Sequence, residues 1–159
     1  MGLVLGPRRR RGRQGQPSGD AKDALKLARA AAAALGRDVI PSFSPWQVFG
    51  PMTVAMFHAE NAMIQDRPDV TLSVGAQIAG RDFPVPRNYL RHRLDMANAH
   101  VATGQHAAAV GVLQEVKSAA PEWLTQQRYA HEILAGVITH RRALTDGMRD
   151  LAGFLSLAL

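Results

Sequence analysis

Residues 89–121 read YLRHRLDMANAHVATGQHAAAVGVLQEVKSAAP, and this stretch decides the fold. Apolar and small residues recur at helical spacing on both sides of Gly104, so the segment predicts two short amphipathic helices folded back on one another. Gly104 ends the first helix because glycine accepts the left-handed turn that follows a helix at no steric cost. Pro121 stops the second, since a proline cannot continue a helix that needs its N–H.

The same stretch fills the slots of a tetratricopeptide-type hairpin. In that pattern a Leu-Gly pair precedes an aromatic by three residues, and an Ala-x3-Phe on the second helix is followed by a proline. Here the slots hold Met96-Ala97, His100, Ala109 with Leu113, and Pro121. Ala97 and Ala109 are small where two helices must cross at close range. A generic helical hairpin supplies small residues and a glycine turn too, so the pattern alone leaves that alternative open.

Working outward, Asp20 can cap a helix running to about Leu35, with Ala24, Leu25, Ala28, Ala31, Ala32 and Leu35 on one face and Gly36 as the stop. Residues 37–50, RDVIPSFSPWQVFG, carry two prolines and no helical period. They predict a connection that packs Phe43, Trp46 and Phe49 onto the hairpins. A second hairpin follows, with helices from about Pro51 to Ile64 and from Pro68 to about Ala79 around a turn at Gln65-Asp66-Arg67. Beyond Pro121 the pattern predicts one longer helix to about Arg142, then a short terminal helix capped by Thr145 or Asp146 and running through Leu151 and Phe154. The slots Ala24, Thr71 and Ala109 recur near the roughly 34-residue period of this repeat class once linker insertions are allowed. The expected fold is therefore all-α: tetratricopeptide-like hairpins stacked as a short right-handed solenoid over residues 20–159, behind a disordered basic tail at 1–19.

The chain of 159 residues has a formal charge of +6 and no cysteine. Disulfides, thiolate metal sites and Cys nucleophiles are excluded at once, and a reducing compartment suits the composition. Arg8, Arg9, Arg10, Arg11 and Arg13 lie in residues 1–19, which contain no acid; the remaining residues hold 14 Lys and Arg against 13 Asp and Glu. The positive charge thus belongs to the tail, whose arginines can bind phosphate weakly and without sequence preference. A solvated tail of low hydrophobicity accounts for the same residues. No stretch has the pattern of an export signal or a membrane span, which places the expected location in the cytoplasm.

Searches for chemistry are negative. His131-Glu132 starts like a helical zinc motif, but the second His position is Ala135. His58, His92, His100, His106, His131 and His140 show no ligand spacing with an ordering carboxylate. The glycines of GRQGQPSG precede no Lys-Ser/Thr, and no serine has the context of a nucleophile elbow. No catalytic residue, cofactor or metal is expected. Met52, Met56, Met63 and Met96, at helical spacing, read as core.

A helical solenoid offers instead an inner wall made by the first helix of each hairpin. With Ala59, Ala97 and His131 as equivalent crossing positions, Met56 and Glu60, Leu94 and Asn98, and Arg128 and Glu132 fall one helical step away. With Arg91 they predict an amphipathic groove for a peptide, protein or small-molecule effector, and solvated helix-face residues are the alternative for any one of them.

From about Asp20 onward the chain resembles the C-terminal helical-repeat region of actinobacterial transcriptional regulators of the XRE (Cro/C1-type helix-turn-helix) family. The resemblance lies in AENAMIQDRPDVTL at 59–72, RHRLDMANAH at 91–100, VLQEVKSAAPEWLTQQRYAHEIL at 112–134 and RRALTDGMRDLAGFL at 141–155, with APEWLTQQRYA at 120–130 the most specific. It implies a sensor or dimerisation module, with DNA contacted only through a helix-turn-helix domain that residues 1–19 cannot encode. The helix at 20–35 also lacks a hairpin mate, and so the chain is expected to be a truncated regulator with an exposed strip at Leu25, Ala28, Ala32 and Leu35. Gly147 and Gly153 depart from the family pattern and should loosen the terminal helix.

Overall fold

A computed structural model describes residues 19–37, 49–78, 87–140 and 143–157. The described residues form eight α-helices: α1 Gly19–Leu35, α2 Pro51–Ile64, α3 Pro68–Ala76, α4 Arg87–Ala102, α5 His106–Ala119, α6 Pro121–Thr125, α7 Arg128–Thr139 and α8 Asp146–Phe154. The arginines expected in the tail, together with Phe43 and Trp46 of the first connection, lie outside the described residues. Gly19, assigned to the tail from sequence, is the first residue of α1.

Local chemistry sets most helix ends. Pro51, Pro68 and Pro121 each open a helix, where the missing N–H has no partner to lose. Gly36 and Gly104 turn the chain at φ 67° and 76°, in the left-handed region that favours glycine. Asp66 adopts φ 58° in the tight turn between α2 and α3, a conformation that a short polar side chain tolerates. Of the two residues expected to cap α8, Thr145 does so: its side chain accepts from the Met148 N–H.

Helices α2 and α3, α4 and α5, and α7 and α8 pack on one another as neighbours in sequence. The first helices α2, α4 and α7 also contact one another in order, and α1 packs on α2. Ala97, Ala109 and Leu113 are fully buried, as the hairpin spacing requires. In α3, Thr71 is fully buried and its hydroxyl donates to the Ala59 carbonyl at 3.0 Å, so a polar side chain is satisfied across the α2/α3 contact.

Three expectations are corrected. The single helix predicted from Pro121 to Arg142 is broken into α6 and α7, because Gln127 takes an extended conformation as the residue before α7. Two side chains of the polar run Thr125-Gln126-Gln127 turn onto nearby backbone: Thr125 donates to the Glu122 carbonyl and Gln127 Nε2 to the Trp123 carbonyl. The break shifts the register by one, so Ala130 is the fully buried small residue and His131 is half-buried, with its ring nitrogens 2.9 Å from the Gln127 carbonyl and 3.0 Å from the Leu155 carbonyl. Finally, the strip on α1 is not left open as a whole. Ala32 is buried and Leu25 and Ala28 are partly covered, while Leu35 stays exposed.

Candidate functional site

Helix α4 carries the site because it is the central element, touching α2, α3, α5 and α7. A helix covered on several sides must bury whatever its sequence places there. The polar residues His92 and Asp95 are only 3% exposed, alongside the apolar Leu90, Leu94, Met96 and Ala97. A cleft of about 240 Å³ opens between α2 and α4, lined by Thr53, Met56, Phe57 and Glu60 from α2 and by Asn88, Arg91, His92 and Asp95 from α4. Of the residues predicted for a groove, it brings together Met56, Glu60 and Arg91.

The others have different places. Leu94, expected on the exposed row, is fully buried in the core: its neighbours on α5 and α7 reach the face that the repeat register left open. Asn98, half-exposed, hydrogen-bonds the Tyr129 side chain. Arg128 and Glu132 pair with each other at 2.9 Å on the exposed face of α7, one turn apart, and do not line the cleft.

Asp95 dominates the electrostatics. Its Oδ1 accepts from the Tyr129 hydroxyl at 3.0 Å, and Arg91 Nε stands 3.8 Å from the same oxygen. The Arg91 guanidinium also lies over the Tyr129 ring, 4.5 Å from its centre. Burial nevertheless pushes the Asp95 carboxyl up to about 6; the Tyr129 hydrogen bond and the Arg91 charge act in the opposite direction, and Glu60 reinforces the rise. Tyr129 is pushed up by burial and by the Asp95 charge. For His92, burial and then the Arg93 charge push the imidazole down to about 4, so it is neutral at physiological pH.

Two buried atoms in this cluster have no hydrogen-bond partner among the described residues: Asp95 Oδ2 and His92 Nδ1. Such atoms are rare in folded proteins and costly where they occur. Sequence reasoning missed both residues. In RHRLD they look like part of a solvated charged face, and the spacing of Asp95 three residues after His92 was the available signal.

A second depression, larger and bounded by α1, α2 and α3, is lined by residues including Arg29, Ala32, Val54, His58, Asp69 and Val74. There Arg29 Nη2 lies 2.6 Å from His58 Nδ1, and the His58 imidazole is held below its ordinary range by burial and by the charges of Arg29 and Arg67. Among the described residues no group of three or more His, Cys, Asp or Glu could hold a metal ion, and no helix is long and apolar enough to cross a membrane. Comparison of the chain with protein-family models, with curated proteins and with solved structures finds no match.

Proposed function

We propose that this chain is a non-enzymatic interaction or sensor domain of tetratricopeptide-like construction, belonging to a cytoplasmic helix-turn-helix regulator, and that its effector enters the cleft between α2 and α4. One observation carries the reading: a cleft opens between α2 and α4, two helices that pack on one another, and is lined by the charged side chains Glu60, Arg91 and Asp95. A binding surface between successive first helices is what stacked helical repeats provide. The resemblance of residues 59–72, 91–100, 112–134 and 141–155 to XRE-family regulators supports the sensor role.

The occupant is a peptide segment, a protein side chain or a small molecule, and homodimerisation through the same helices is compatible with it. The test is a ¹H–¹⁵N NMR titration against mixed peptide and small-molecule fragments. Saturable shifts centred on Thr53, Glu60, Arg91 and Asp95 are expected; shifts confined to other helices, or none, overturn the reading. The rival reading, nucleic-acid binding through Arg8, Arg9, Arg10, Arg11 and Arg13, rests on their uniform charge. Replacement of all five by Gln abolishes DNA binding under that reading and leaves cleft binding untouched under ours.

A further inference from the structure

We infer that α1 is held to α2 by a latch that acid opens: Arg29 of α1 donates a hydrogen bond to the imidazole of His58 on α2, and protonation of that imidazole releases the helix. The device is independent of what the α2/α4 cleft binds. A guanidinium carries only donors and keeps its charge, so the His58 Nδ1 that stands 2.6 Å from Arg29 Nη2 must present a lone pair. His58 is therefore a neutral imidazole with its proton on Nε2. A proton added at Nδ1 removes the acceptor and sets a second positive charge against the guanidinium, which turns an attraction between the two helices into a repulsion. Burial, and then the charges of Arg29 and of Arg67 in the turn between α2 and α3, already hold the imidazole below its ordinary range. The acid lining the same depression is Asp69 of α3, at an exposed position where water screens it. The α2/α4 cleft shares no lining residue with this depression, so Glu60, Arg91 and Asp95 lie on a separate surface.

Helix α1 brings little apolar surface to its docking. Among its described side chains Ala32 is buried and Leu25 and Ala28 are half-buried, whereas Leu27 and Leu35 are exposed. A contact made of one methyl group and two partly covered side chains leaves the polar link a large share of what holds the helix. Once released, His58 titrates near its ordinary value of about 6.5, whereas in the docked state it holds a proton less tightly. Docking is therefore fully present above about pH 6.5, and its equilibrium constant falls by up to about tenfold per pH unit below that value. Release removes one wall of the depression bounded by α1, α2 and α3 and returns Ala32 to solvent.

The experiment is amide hydrogen exchange of the full chain at pH 7.5 and pH 5.5, read as protection factors so that the intrinsic pH dependence of exchange divides out. Protection of the α1 amides should fall several-fold, up to about tenfold, between the two pH values, while the amides of α5 and α7 keep theirs. In His58→Gln, whose side chain still offers Arg29 an acceptor oxygen and cannot gain a proton, α1 protection should be the same at both pH values. In Arg29→Gln, at an exposed position that does not threaten folding, α1 should be less protected at pH 7.5 and lose less on acidification. Equal α1 protection at the two pH values in the native chain overturns the latch, as does the same acid loss in both variants. An equal loss in α5 and α7 would mark global unfolding and overturns it too. So does an α1 already unprotected at pH 7.5, since there is then no docked helix to release.

Discussion

Helices α4–α8 and helices α1–α3 each pack on their neighbours in sequence, yet they bury very different side chains. The first group shares one continuous core in which Leu94, Leu113, Leu124, Leu134 and Leu151 are all fully buried. The second buries mostly small residues, Ala32, Ala59, Ala62 and Thr71, with Val54, Met56 and Val74 as the larger contributions. Its large apolar side chains Leu27, Phe57 and Ile64 are instead 72%, 54% and 75% exposed. The apolar volume removed from water, larger in the first group, separates the two. The cleft lies where the two meet, on the border between α2 and α4.

The largest expected effect tests that contrast directly. Leu134→Ala should cost about 2–5 kcal/mol of unfolding free energy, because a fully buried leucine leaves a cavity behind. Val54→Ala, with less side chain to remove, should cost about 1.5 kcal/mol. Urea denaturation of the two variants measures both, and equal losses would break the distinction between the regions.

Next in size is a pair of opposed pH dependences at the border. Asp95 titrates near 3.9 when unfolded and at about 6 in the fold, so the native state holds its proton more tightly and stability falls as pH rises from about 4 to 6. His92 titrates near 6.5 when unfolded and at about 4 in the fold, so stability rises with pH over nearly the same window. Each amounts to roughly 3 kcal/mol, and in the native chain they offset one another. Asp95→Asn should unmask a stability that climbs between pH 4 and 6.5, and His92→Gln one that declines between pH 4 and 6. Glu60 of α2, Tyr129 of α7 and Arg91 and Arg93 of α4 act on these two groups and are common to both variants. Parallel profiles for the two would show that this polar cluster is not as buried as its geometry states.

Within the main core, Ala97→Leu should overpack a fully buried position and cost roughly 1–3 kcal/mol, visible as a lowered thermal midpoint. An unchanged midpoint would mean that the α4/α5 contact has slack. The smallest effects come from two helical glycines. A Cβ at Gly111 meets nothing, so Gly111→Ala should stabilise by about 0.5–1 kcal/mol through helix propensity. A Cβ at Gly75 runs into the Met96 thioether where α3 approaches α4, so Gly75→Ala should forfeit that gain or reverse it. If both stabilise alike, Met96 moves freely and the border between the regions is looser than the main core.

Much of the helical framework was legible in the residues themselves. The bounds of α2, the turn at Gln65-Asp66-Arg67, the reversal at Gly104 and the start of α8 follow from prolines, glycines and one threonine cap, all of which act within a few residues of chain. The break between α6 and α7 was not legible, because Gln126 and Gln127 are ordinary helix formers and the backbone of Gln127 left the helical path only in the folded context.

The site divides in the same way. The sequence by itself determined that Met56 and Glu60 sit one helical step from Ala59, and that Arg91 lies one turn before Leu94, since helical periodicity fixes which positions share a face. Only the tertiary structure decided that Leu94 lies inside, that Arg128 and Glu132 answer each other on the surface, and that His92 and Asp95 are buried with an unpartnered atom each. The physical reason is that periodicity locates a buried face when a helix has one covered side, and α4 is covered by α2, α3, α5 and α7 together. Burial there depends on which neighbours arrive, and the neighbours are distant in sequence.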